Sequence, residues 1–169
     1  MRELMDSSMI YRSIKRISFE ILENNKGADN LILVGIKTRG EYLAQRIASF
    51  IKEIENVEIQ VCSIDVSYWR DDLEEKIDYI PELNCSLKDR TVILVDDVLY
   101  KGRTTRAALD GIMHNGRAKS IKLAVLIDRG HRELPIRPDF VGKNVPTSEQ
   151  ENVKVSLIEI DDVDGVYII

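Results

Sequence analysis

TVILVDDVLYKGRTT, Thr91 to Thr105, is the stretch that decides the fold. Thr91 to Val95 are β-branched or apolar and lead straight into two adjacent acids, Asp96 and Asp97. A short loop containing Gly102 follows, and then a helix-forming run, RAALDGIM (106–113). A short strand that is apolar throughout is the pattern of a parallel strand covered on both faces. Asp96 and Asp97 then fall at its carboxyl end, where open α/β sheets place their ligand crevice. The loop Leu99–Thr105 brings backbone N–H groups and a helix N-terminus to the same place, which suits a phosphate. Carboxylates for hydroxyls or a metal, beside a phosphate cradle, point to a sugar phosphate. Taken alone, the segment fits equally a strand that ends in a solvated acidic turn.

Outward from this stretch, strands and helices alternate. Ser7–Asn25 carries Ile10, Ile14, Ile17, Ile21 and Leu22 on one stripe, the spacing of an amphipathic helix, and Lys26-Gly27 closes it with the glycine as cap. Leu31–Ile36 is a second apolar strand, ending in Lys37, Thr38, Arg39 and Gly40. Glu41–Glu55 is a helix with Leu43, Ile47, Phe50, Ile51 and Ile54 on its stripe, and Val57–Val66 alternates as a strand does. Ser67–Lys88 is polar, acidic and interrupted by Pro81, so it is expected to be a loop or hairpin arm. A helix over 103–115, a buried strand over Ser120–Ile127 and short strands near Phe140 and Val153–Ile158 complete the chain.

This alternation predicts a parallel sheet with helices on both faces. Three of its strands end in polar, glycine-containing loops, at 37–40, 96–105 and 128–137, which are expected to converge on one edge. The first offers N–H groups, a hydroxyl and a guanidinium, a second anion site beside the first. Two such loops at equivalent strand ends suit a ligand phosphorylated at both ends.

The 169 residues suit one domain with a real core, and 44% hydrophobic with 31% charged residues describes a soluble globular protein. No apolar run approaches ~20 residues, which excludes a membrane span. MRELMDSSMIYRS (1–13) lacks the apolar core and cleavage site of a signal peptide, so a cytoplasmic location is expected. Cys62 and Cys85 are accordingly expected to be free thiols. Charge is uneven: residues 100–143 hold ten Lys/Arg against four acids, a net +6, leaving −11 elsewhere in a chain of net −5. That fits a polyanion-binding face, unless folding disperses the cluster.

VILVDDVLYKGRT (92–104) resembles the phosphoribosyl-diphosphate (PRPP) signature of type I phosphoribosyltransferases. More narrowly, LVGIKTRG (33–40), YWRDDL (68–73), LIDRGHRELPIR (126–137) and GKNVPTS (142–148) are similar to the PyrR family of pyrimidine-operon attenuators. The likeness runs in order from about Ile10 to Asp161, and the 126–148 string is its most family-specific part. It implies an α/β fold: a parallel sheet flanked by helices, type I phosphoribosyltransferase-like, with a small hood, in a single domain over 1–169. It further implies transfer of ribose-5-phosphate from PRPP to uracil, giving UMP and diphosphate. Loss of diphosphate leaves an oxocarbenium-like ribose, so catalysis needs positioning, charge stabilisation and exclusion of water rather than a protein nucleophile.

By that resemblance Asp96 and Asp97 hold the ribose hydroxyls, directly or through Mg²⁺, and with Arg39 form the catalytic set. Thr38, Arg39 and Gly40 hold the diphosphate, and Tyr100, Lys101, Gly102, Arg103, Thr104 and Thr105 hold the 5′-phosphate. The segment 128–136 resembles the hood over the base, with Arg129 near the ligand, while His131 is a solvated hood residue without a catalytic role. The family also binds the leader mRNA of pyrimidine operons and favours transcription termination, with UMP or UTP as effector. RNA-contact candidates are Lys15, Arg16, Arg132, Arg137 and Lys143, since phosphate contacts dominate recognition of folded RNA. Homodimers or larger homo-oligomers are implied.

Two departures bear on turnover. Lys101 stands where the family usually has threonine, replacing a compact hydroxyl by a long, strongly hydrated cation. The arm after YWRDD is several residues shorter than usual and carries Asp71, Asp72, Glu74, Glu75, Asp78 and Glu82. Both touch the same substrate, so weak catalysis is expected. Two alternatives remain: a nucleotide-sensing RNA-binding regulator without catalysis, and a transferase for another base without an RNA role, which the 126–148 string disfavours.

Overall fold

The computed structural model describes residues 1–75 and 77–169. In chain order the elements are β1 (Arg2–Met5), α1 (Ser7–Asn25), β2 (Leu31–Ile36), α2 (Arg39–Glu55), β3 (Gln60–Ile64), β4 (Thr91–Leu99), α3 (Arg103–Asn115), β5 (Ser120–Asp128), β6 (Phe140–Asn144), β7 (Val153–Ser156), α4 (Ile158–Asp161) and β8 (Gly165–Ile168). A short 3-10 turn, Ser67–Trp69, opens the arm between β3 and β4.

β3-β2-β4-β5-β6 form one parallel sheet, and alternation along its strands divides the core in two. Leu31, Leu33, Ile93, Val95, Ala124 and Leu126 face α1 and α2. Ile32, Val34, Ile36, Val92, Leu94, Leu123 and Val125 face α3 through Ala107, Ala108 and Ile112. Such two-sided burial requires uniformly apolar strands, the pattern read in 31–36 and 91–95.

α1 keeps its expected bounds, and Asp6 caps its start by accepting the Met9 N–H at 2.8 Å. At its end Lys26 takes the left-handed capping conformation (φ 57°), with Gly27 (φ 118°) the next residue. β4 runs further than expected. It continues past the two acids to Leu99, because β5 pairs with Asp96, Val98 and Leu99 as far as Asp128. β3 is shorter than the alternating stretch 57–66, since only residues 60–64 lie beside β2.

Four-residue strands at the two ends give a second, antiparallel sheet, β1-β8-β7, which side-chain periodicity did not indicate. β7 stops at Ser156 because Ile158 begins α4. The α4 turn is tied to α2: Arg46 donates to both carboxylate oxygens of Glu159 and to both of Asp164. One cysteine expectation is corrected, for Cys62 on β3 and Cys85 near the end of the arm form a disulfide. Their 23-residue separation hid a pair of Cα atoms that the fold brings to 6.6 Å. Among the described residues no helix is long and apolar enough to cross a membrane.

Candidate active site

β2, β4 and β5 are neighbours in the sheet, so the loops at their carboxyl ends share one edge. Two glycines allow the close approach. A Cβ at Gly35 would lie 2.5 Å from Glu41 Cα, and one at Gly40 would lie 2.3 Å from the Val95 carbonyl oxygen and 3.3 Å from Asp96 Cα. The first turn of α2 therefore rests directly on the end of β4, beside the acids. Gly40→Ala is expected to cost about 1–3 kcal/mol, because the clash is with backbone that cannot swing aside. It should also loosen the site, which a thermal melt together with a PRPP titration would register; a parent-like melt would show that α2 can shift freely.

The helix starts at this edge are open to an anion. α2 follows Thr38 and α3 follows Gly102, and neither has a side-chain cap, in contrast to α1 with its Asp6. Uncapped N–H groups and the positive end of the helix dipole favour a phosphate at each. Gly102 takes a left-handed conformation (φ 92°), which turns the chain into α3 at a cost a side chain would raise. Residues 98–105 with Arg70 and Asp72 line a partly open pocket of about 120 Å³. At the other loop the Lys37–Thr38 peptide is cis, and the Arg39 guanidinium donates to both carboxylate oxygens of Asp161 at 3.1 Å.

Between the loops stands the acid pair. Asp96 is only 7% exposed, and its Oδ1 accepts the Asp97 N–H at 2.9 Å. Burial pushes the Asp96 carboxyl well above the usual carboxylate range, and the Asp97 charge adds to the shift. Asp97 is half-buried and accepts the Val98 N–H. A buried carboxylate with an unfavourable negative charge is relieved by a hydroxyl donor or a cation. Among the described residues no group of three or more His, Cys, Asp or Glu could hold a metal. Two carboxylates without a third protein ligand suit a Mg²⁺ that arrives with the substrate's own oxygens.

Arg70 lies on the same cavity and is bound to Asp72, whose hydrogen bond, opposed by burial, raises the guanidinium pKa; the Asp96 charge acts in the same direction. Arg129 lies beside Tyr100, on the cleft that opens next to the 98–105 loop. It is 4% exposed and donates to Thr147 Oγ1 (3.1 Å) and to the carbonyls of Ser148 and Glu151, with its face 3.9 Å from the Tyr100 ring centre. The side chain thus braces residues 147–151 against the phosphate loop. An open cleft of about 530 Å³ lies alongside, bounded by Asp128, Arg129, His131, Asn144, Val145 and Thr147.

The phosphoribosyl transferase domain family matches residues 2–159. The bifunctional protein PyrR of Clostridioides difficile is 57% identical, with 98% of this chain and 96% of that protein covered. The chain belongs to the PyrR family. The bifunctional PyrR proteins of Brevibacillus brevis, at 56% over 98% of this chain and 94% of the relative, and of Leuconostoc mesenteroides, at 51% over 99% and 98%, are similar along nearly the whole chain as well. The fold alone is shared with the hypoxanthine phosphoribosyltransferases of Trypanosoma cruzi (TM-score 0.77, 18% identity, 99% of this chain and 95% of that chain) and Staphylococcus aureus (0.75, 20%, 97% and 88%).

The basic residues singled out for RNA in this PyrR-family chain fall in two places. Lys15 and Arg16 lie on α1, where Arg16 donates to the Val141 and Gly142 carbonyls of the edge strand β6, and Lys143 lies on β6 with its ammonium 3.3 Å from the Leu4 carbonyl. Arg132 and Arg137 are exposed on the 129–139 segment between β5 and β6. The +6 segment does not present all its charge outward, because Arg129 is buried and Arg106 pairs with Asp110. Sequence reasoning assigned no role to Arg70, Glu133 or the 144–147 rim. All three lie within the motifs YWRDDL, LIDRGHRELPIR and GKNVPTS, but the pairing of Glu133 was hidden because its partners Lys101 and Arg103 lie 32 and 30 residues away.

Proposed function

We propose that this chain regulates pyrimidine biosynthesis genes by binding the leader mRNA in response to uridine nucleotides, and converts uracil and PRPP to UMP and diphosphate. One observation carries the proposal: two uncapped helix N-termini flank an acid pair, the buried Asp96 and the half-buried Asp97, in a chain that matches PyrR proteins along nearly its whole length. The 5′-phosphate is taken by the 100–105 loop and the start of α3, and the diphosphate by Thr38, Arg39 and Gly40. The ribose hydroxyls donate to Asp96 and Asp97, and uracil enters the cleft beside Tyr100 and the 144–147 rim. The C1′–O bond breaks with its electron pair going to diphosphate. N1 of uracil bonds to C1′ and its proton passes to solvent. Asp96 and Asp97 stabilise the positive ribose, and burial removes the competing water. Asp96 and Asp97 would hold a Mg²⁺, which would supply neutralisation of the leaving charge. RNA is met by Lys15, Arg16, Arg132, Arg137 and Lys143, in a cytoplasmic homodimer or larger assembly.

A second reading, a nucleotide-sensing regulator with weak turnover, is favoured by Lys101 lying 3.4 Å from Glu133 and Arg103 lying 3.7 Å from Asp71 of the arm. Incubation with uracil, PRPP and Mg²⁺ separates the two, with UMP above background expected for the first. Leader-RNA affinity, measured with and without UMP across a salt series, tests the regulatory half. Affinity equal to that for an unrelated hairpin and indifferent to UMP would reduce that half to non-specific polyanion attraction.

A further inference from the structure

The cradle at the start of α3 accounts for one phosphate, and the cations on its rim exceed what one phosphate needs. Lys101, Arg103 and Arg70 all line the same cavity. Lys101 and Arg103 share the Glu133 carboxylate: Lys101 Nζ lies 3.4 Å from Glu133 Oε1, and Arg103 reaches Glu133 Oε2 at 3.2 Å and 3.3 Å through two nitrogens, with Asp71 farther off at 3.7 Å. The Glu133 N–H also donates to the Lys101 carbonyl at 2.9 Å, which fixes the segment carrying this carboxylate against the loop. The three side chains keep 47%, 35% and 44% of their surface exposed, so the carboxylate can be exchanged for an external anion without unfolding anything. Two cations sharing one carboxylate present the donor set that a phosphate group takes. A nucleoside at Asp96 and Asp97 directs its 5′-phosphate into the cradle, so any further phosphate points outward, towards this rim.

We propose that Lys101 and Arg103 form a second phosphate position beside the 5′-phosphate cradle, occupied in the free protein by the Glu133 carboxylate, and that this position makes the site select uridine 5′-di- and triphosphates over the monophosphate. The inference rests on the nucleotide site proposed above and names its ligand class. Its source is Lys101, since a side chain as short as threonine at this position reaches neither Glu133 nor an outer phosphate.

The test is the ratio of UMP to UDP dissociation constants, measured by calorimetry within each protein, with thermal melts to confirm folding. The parent is expected to bind UDP ~5–20-fold more tightly than UMP, the effect of one or two charge-assisted contacts at an exposed rim. Lys101→Thr is expected to bring the ratio to about one, and Glu133→Gln to widen it, because the competing carboxylate is gone. A UDP preference equal in the parent and in Lys101→Thr overturns the second phosphate position while leaving the nucleotide site intact. Absence of binding by either nucleotide overturns the site itself and this inference with it.

Discussion

Asp96→Asn is expected to melt higher than the parent at pH 7.5 and to lose on the order of 10²–10³ in transfer rate, the range seen when one preorganised electrostatic group is removed. The two effects have one cause. Asp96 is buried, and burial followed by the Asp97 charge raises its carboxyl pKa. The folded chain therefore holds this proton to higher pH than the unfolded chain does. Stability falls as pH rises from the ordinary aspartate value, ~3.9, through the raised one, and the cost is fully present above it. An amide of the same shape still accepts the Asp97 N–H but never ionises, so it removes that cost. A gain of even ~1 kcal/mol lifts the midpoint by ~2–4 °C in a chain of this size. The same amide cannot stabilise a developing positive ribose. Melts at pH 5 and pH 8 check the sign, with the advantage of the variant larger at pH 8. A variant that melts below the parent, or retains full transfer, would make Asp96 a structural residue.

Arg46→Ala is expected to cost ~2–3 kcal/mol, somewhat below the ~3–5 kcal/mol for breaking a fully buried pair, because 17–29% of each partner's side chain remains exposed. The midpoint should fall by ~4–12 °C. Arg46 donates to both Glu159 and Asp164, and its loss leaves two close carboxylates without their cation. The Arg46 hydrogen bond holds Glu159 below its usual range; for Asp164 burial opposes the shift, but the same guanidinium prevails. Groups lowered in this way contribute stability above their ordinary pKa values and lose it as pH falls through the lowered ones. The deficit of the variant should accordingly shrink on acidification. The effect reaches the site, since Asp161 within the same turn receives Arg39. The KM for PRPP is expected to rise more than kcat falls, and a change in kcat alone would separate the α4 turn from substrate binding.

Much of this was legible in the chain itself. The apolar runs at 31–36 and 91–95 specified strands buried on both faces, and the stripe of Ile10, Ile14, Ile17 and Ile21 specified α1 to the residue, because one periodic burial requirement governs each element. The loops at 37–40 and 96–105 marked a phosphate edge through their glycines and acids. The terminal strands β1 and β8 were not legible, since four residues carry too few alternations to distinguish from a loop. The Cys62–Cys85 pairing and the bracing of Arg129 were equally hidden, because each depends on partners distant in sequence.

By itself, then, the sequence determined the parallel sheet and the edge at which its polar, glycine-containing loops meet, both of which follow from local pattern, and its motifs resembled the family. Tertiary structure alone decided which charges are free to act. Arg129 was turned inward against Thr147, Ser148 and Glu151, Arg39 was joined to Asp161, and Lys101 was set against Glu133 beside the start of α3. An ionic contact acts over a few ångströms and is indifferent to separation along the chain, so no reading of spacing could have assigned these partners.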